Sequence, residues 1–138
     1  MRGHYRRDDL RTAAELCQHV ASDDGLVWRR AKDTPILGVH DPDCAEWEKD
    51  CTYQPWLVEH RGRFFNFYNA AQGGIEQTGL AFSTDLVSWM RYPANPVIRN
   101  RPGGFDEQFA SDPKVFRDGD HWVMFYFGAF WKPGAFDT

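Results

Sequence analysis

The chain has 138 residues, with 16 Lys and Arg against 20 Asp and Glu and a net charge of −4. That length sets an expectation of one domain with enough residues for a core, and the acidic balance offers no basic footprint for nucleic acid. No run of about 18 apolar residues is present to span a membrane, and Arg2, Arg6 and Arg7 stand where a secretory leader would be apolar, so the expected location is cytoplasmic.

Residues 1–20 carry two competing patterns. Leu10, Ala13, Cys17 and Val20 fall at helical spacing behind Asp8 and Asp9. The repeat described below instead places residues 16–21 on a strand, and strand is the expectation. Asp23-Asp24-Gly25 is then a turn, residues 26–30 are an outer strand, and Trp28 on it is read as core. Residues 31–51 connect this unit to the next. Asp41-Pro42-Asp43 and the acidic run Glu46, Glu48 and Asp50 read as a solvated loop. His40, Asp41, Asp43 and Cys44 stand close together but fit no standard zinc spacing. Cys17, Cys44 and Cys51 are odd in number and form no CxxC pair, which argues against a disulfide framework and for a reducing compartment.

Four strands follow, at 55–59, 63–69, 76–82 and 86–92, with turns at Gly73-Gly74 and Ser83-Thr84-Asp85 and a second core tryptophan at Trp89. Residues 93–110 connect onward, broken by Pro93, Pro96, Pro102 and Gly103-Gly104. Strands at 113–117 and 121–127 flank the turn Asp118-Gly119-Asp120. Trp131-Lys132-Pro133-Gly134 reads as a loop.

Two internal repeats organise these elements. Gln54-Pro55-Trp56 through Tyr68 lies over Asp112-Pro113-Lys114 through Tyr126 without a gap, each residue 58 positions from its counterpart, as Pro55 is from Pro113. Ser22-x-Asp24-x-x-x-Trp28, with Pro35-Ile36, lies over Ser83-x-Asp85-x-x-x-Trp89, with Pro96-Val97, at an offset of 61, as Trp28 is from Trp89. A strand-rich period of this length indicates propeller blades. The fold class expected is all-β: part of a β-propeller of four-stranded antiparallel sheets. By this tiling residues 1–37 end one blade, 52–98 form a complete blade and 109–138 begin the next. A ring needs about four blades to close. The chain is therefore expected to be a fragment, or a protomer lacking the rest of its ring, and poorly soluble alone.

The first strand of a blade lines the central channel, and its first residues face the channel mouth. Asp112 and Gln54 hold that position. A carboxylate there can act on a sugar as base, nucleophile or electrostatic partner; an Asp that only caps the strand before Pro113 fits the same spacing.

The motif Ser111-Asp112-Pro113-Lys114-Val115-Phe116, then Gly119-x-x-Trp122-x-Met124-Phe125-Tyr126, together with Ala81-Phe82-Ser83-x-Asp85-x-x-x-Trp89, resembles the five-bladed β-propeller glycoside hydrolases. These are the arabinanase and β-xylosidase group (family 43) and the invertase and levansucrase group (family 32). The resemblance spans about residues 15–129. It implies hydrolysis of glycosidic bonds by three channel-facing acids, without a redox cofactor or a metal. Asp112 would be the middle member, which stabilises the transition state or tunes its partner. The acid would be a Glu. Glu107, beside Asp106, is the nearby candidate, although a solvated loop pair is the simpler reading of the two. The chain departs from the pattern in two places. Ser111 replaces the arginine of the invertase group, and Gln54 stands where a base is expected, with Asp50 four residues early. The resemblance implies a carbohydrate substrate. Gln54, Tyr53, Trp56, Asp50 and Asp106 are candidate sugar contacts, since aromatic faces stack on sugars and polar side chains bond hydroxyls. Trp56 fits blade packing as well. The rival functions are a non-catalytic carbohydrate-binding propeller, which Gln54 favours, and a protein-interaction propeller. The oligomeric state is left open.

Overall fold

The computed structural model describes residues 17–130. The readings of residues 1–16 and of the loop at 131–134 lie outside the described residues. Aromatic and β-branched runs, cut by tight turns, fold into eight strands with no α-helix among the described residues. β1 (Val20–Ala21) pairs antiparallel with β2 (Arg29–Arg30). β3 (Cys51–His60), β4 (Arg63–Gln72), β5 (Ile75–Ser83) and β6 (Met90–Arg91) form a complete antiparallel blade in that spatial order. β7 (Phe109–Asp118) and β8 (His121–Ala129) form the inner hairpin of the next. The ladders of the two blades join at one parallel pair, Glu76 with Phe109. Cys17 bridges Leu37 and Val20–Ala21 lie in a ladder, so this stretch takes strand rather than helical structure.

Both repeats are structural. β1 pairs with β2 through Val20–Arg30 and Ala21–Arg29, and 61 residues on, β5 pairs with β6 through Ala81–Arg91 and Phe82–Met90. The isolated bridge Cys17–Leu37 recurs as Thr78–Ile98. Inner strands β3 and β7 are equivalent at the offset of 58, down to a bulge between Tyr53 and Trp56 in one and between Ser111 and Lys114 in the other.

Three sequence expectations are corrected. The outer strands are shorter than 26–30 and 86–92, because the Ser-x-Asp turn occupies their first residues. Asp85 accepts the amides of Val87 and Ser88, and Leu86 has φ 64°, so the extended ladder starts only at Met90. Trp28 is 59% exposed rather than core, whereas its counterpart Trp89 packs on Cys17, Ile36, Leu37, Tyr68, Ala70 and Ala81, the core between β1–β2 and the complete blade. Among the described residues no preceding unit covers Trp28. The acidic connection is not a solvated loop throughout. Glu48 is buried, and its carboxylate accepts from Arg91 Nε at 2.9 Å and from Tyr68 Oη at 3.0 Å. Arg91 also bonds Asp43, Asp41 and the carbonyl of Gly38. This network fastens the connection to the outer edge of the blade. Tyr68 can lie flat in the core because its cross-strand partner is Gly79, where a Cβ would strike its ring.

Candidate active site

The site begins with backbone chemistry. Pro55 and Pro113 cannot donate to a ladder, and proline in a sheet is accommodated at a bulge. The residue before each is turned into the left-handed region, Gln54 at φ 47° and Asp112 at φ 54°. Such values are costly for residues other than Gly, by about 1–3 kcal/mol. They swing the side chain out of the regular alternation at a bulge inside each inner strand. Contrary to the sequence expectation these residues do not start their strands, because Cys51–Tyr53 and Phe109–Ser111 already pair before them. Gln54 is exposed there and Asp112 half-buried.

Asp112 is held from the neighbouring blade. Asn69, fully buried on β4, accepts Asp112 N at 2.7 Å on Oδ1 and donates from Nδ2 to Asp112 Oδ1 at 2.6 Å. Thr78, the cross-strand partner of Asn69, donates to the carbonyl of Ala110 at 2.9 Å and fastens the same end of β7. Tyr53 is the other cross-strand partner of Asn69. Burial and then the Glu76 carboxylate beside its hydroxyl raise the Tyr53 phenol above its ordinary value, while Asn69 pulls it the other way. The phenol therefore stays protonated and donates. Tyr53, Asn69, Glu76 and Asp112 thus come from four successive strands, β3, β4, β5 and β7, to one end of the sheet.

The remaining candidates divide. Trp56 is 37% exposed and ties the blades: Nε1 donates to Val115 O at 2.7 Å, and Lys114 Nζ lies 4.7 Å from the ring centre. Asp50 accepts Gly73 N at 2.7 Å and so closes the β4–β5 turn. Asp106 is 1% exposed and accepts from Arg101 Nε at 3.0 Å and Tyr126 Oη at 2.9 Å, an anchor of its own connection. Glu107 is exposed and accepts Gly103 N at 3.2 Å within that connection. The structure thus groups Tyr53 with Asp112 through Asn69, and places Asp50, Asp106 and Glu107 in local structural roles. Asn69 and Glu76 do not stand out in the sequence. The available signal was polar side chains, Asn66 and Asn69, inside the otherwise apolar and aromatic stretch 64–71, and it does not separate the two. A hollow of about 570 Å³ lies at the far end of β5 among Arg63, Phe82, Ser83, Trp89 and Met90. No carboxylate lines it.

No protein-family model and no curated protein matches the chain. Solved structures do. A complex of BT0996 with RGII is 30% identical with a TM-score of 0.61, over 79% of this chain and 33% of that one. A structure named only as a glycoside hydrolase is 29% identical with a TM-score of 0.60, over the same shares. A Bombyx mori GH32 β-fructofuranosidase shares the fold at 17% identity and a TM-score of 0.59, over 85% of this chain and 24% of that one. The chain therefore spans a third or less of the length of these structures; over most of its own length it is similar to a glycoside hydrolase structure, and it shares the fold of a family-43 and a GH32 enzyme.

Proposed function

We propose that this chain carries part of the active site of a propeller glycosidase, with a carbohydrate substrate and Asp112 as a channel-facing carboxylate. The observation that carries the reading is Asp112 itself. It sits at the bulge inside the inner strand β7, with Phe109–Ser111 already paired before it, and is gripped by Asn69. The likeness at 29% identity to a glycoside hydrolase structure and at 30% to a BT0996 complex with RGII supports the same reading. Glycoside hydrolysis needs one group to protonate the leaving oxygen and another to activate water or attack the sugar. Asp112 serves as the carboxylate that stabilises positive charge building on the sugar ring or sets its partner's proton affinity. Gln54, an amide, does neither proton transfer, so it serves as a hydroxyl contact beside Tyr53. The partner acids come from other inner strands of a closed ring.

The test is hydrolysis of a panel of aryl glycosides, and of RGII, by the protein extended to a closed ring. Asp112→Asn is expected to lower kcat about 10²–10⁴-fold, the range of a lost catalytic carboxylate, with sugar binding retained. Equal turnover in the variant would exclude the assignment. The second reading is a carbohydrate-binding propeller without turnover, favoured by Gln54 at the equivalent position. Sugar binding by calorimetry without hydrolysis would support it.

A further inference from the structure

Asn69 is fully buried in the middle of β4, yet its side chain bonds across to the next blade. An amide can accept from Asp112 N and donate to Asp112 Oδ1 in one orientation only. The backbone donor fixes Oδ1, and Nδ2 must then face the carboxylate. One feature separates this grip from ordinary blade packing: the repeat does not supply it. The position equivalent to Asn69 in the next hairpin, 58 residues on, is Phe127. The grip is therefore specific to this pair of hairpins. On its far side Asn69 is backed by Tyr53, its cross-strand partner, whose hydroxyl reaches Glu76. Among the described residues nothing bonds Asp112 Oδ2.

We propose that Asn69 is the positioning residue for Asp112, braced by Tyr53 and Glu76: it fixes Oδ1 and so aims Oδ2 at the substrate in the channel. This rests on the glycosidase reading and names how the carboxylate is aimed. A carboxylate left free to rotate would meet its substrate correctly only part of the time, and misplacement by about 1 Å can cost a hundredfold in rate.

Two measurements test the proposal independently. Amide hydrogen exchange, read by mass spectrometry with fragmentation to single residues on the 138-residue chain below micromolar concentration, follows Asp112 in Asn69→Ala and Asn69→Asp. In Asn69→Ala the Asp112 amide should exchange about tenfold faster, the loss of one hydrogen bond, while the Val115 and Phe116 amides hold within about threefold. In Asn69→Asp the acceptor remains and the Asp112 amide should stay protected, but a carboxylate now faces the carboxylate. In the ring-closing protein both variants should lower kcat about a hundredfold with KM little changed. Unchanged exchange at Asp112 in Asn69→Ala would overturn the proposal. So would acceleration of the whole β7 ladder, which marks a structural tie, or an unchanged kcat. If the wild-type protein hydrolyses no glycoside, the glycosidase reading fails, and the exchange data alone decide whether Asn69 holds Asp112.

Discussion

Arg91 has 3% of its side chain exposed and Glu48 1%, with 2.9 Å between Nε and Oε2. Burial would weaken the arginine's hold on its proton, but the Glu48 carboxylate outweighs it, and the net direction is up. Asp43 at 2.7 Å and Asp41 at 3.2 Å complete the cage. Breaking one side of such a pair strands a charge without solvent, at a cost of about 3–5 kcal/mol. Arg91→Leu, which leaves the buried Glu48 carboxylate unpaired while the part-exposed Asp41 and Asp43 turn to water, is expected to lose that much in urea melts, and Glu48→Gln somewhat less because the amide still accepts. A loss below about 1 kcal/mol in Arg91→Leu would show that the cage is solvated. Cys17 gives a pH dependence. Burial raises its thiol from 9.0 to about 12. Between those values the unfolded chain releases the proton and the folded chain keeps it, so stability is full below pH 9 and declines as pH rises towards 12. Each pH unit in that window is worth about 1.4 kcal/mol for one such group. Cys17→Ala should flatten the decline between about pH 9 and 11 in denaturant melts. An equally steep decline would assign it to other groups, Tyr68 among them, whose phenol burial also raises.

At the scale of elements, the turn before each outer strand is the clearest case of sequence dictating structure. Ser22 and Ser83 each donate to the Asp two residues on and accept the amide three residues on; Asp24 and Asp85 each accept two further amides. Residue 25 is Gly at φ 75° and residue 86 is Leu at φ 64°, so the same left-handed turn forms with or without glycine. The amides hold the Asp85 carboxyl below its usual range, at about 2. Its contribution to stability is thus present above pH 3.8 and lost as pH falls through about 2. Asp85→Ala should lower Tm at about pH 7, and the difference from wild type should close near pH 2 in calorimetry. A difference that persists there would point to the loss of Asp85 packing instead. Bonds of this kind span two or three residues, and so they are legible in the chain, as are the offsets of 58 and 61 that lay out the blades. Asn69 with Asp112 and Glu48 with Arg91 each span 43 residues. Their meaning depends on which strands become neighbours, and an Asn in an apolar strand or a Glu in an acidic run looks alike in many folds. Trp28 departs from its sequence reading for the same reason: its motif matches that of Trp89, but its burial depends on a neighbouring unit.

For the molecule as a whole, the two faces of the repeat are occupied unequally. In the complete blade Phe65 and Phe67 lie under Trp122 of the following hairpin, with ring centres 5.1 and 6.3 Å apart, and Phe67 is 8% exposed. The residue equivalent to Phe67 in β8 is Phe125, which is 66% exposed. Phe127 beside it is 53% exposed and Phe116, stacked on Phe125, 46%. Among the described residues nothing covers this face. Covering one phenylalanine is worth about 1.5–3 kcal/mol, so a face of three favours association whenever another apolar surface is within reach. The chain is expected to self-associate at micromolar concentration. Phe125→Ser with Phe127→Ser should shift it towards monomer in light scattering while leaving Tm within a few degrees, because side chains already in water contribute little to the folded state. If the double variant instead unfolds, the face packs against something in solution and is part of the core. If it associates as before, the contact lies elsewhere, and exposed Trp28 and Leu26 at the opposite end of the chain are the next residues to change.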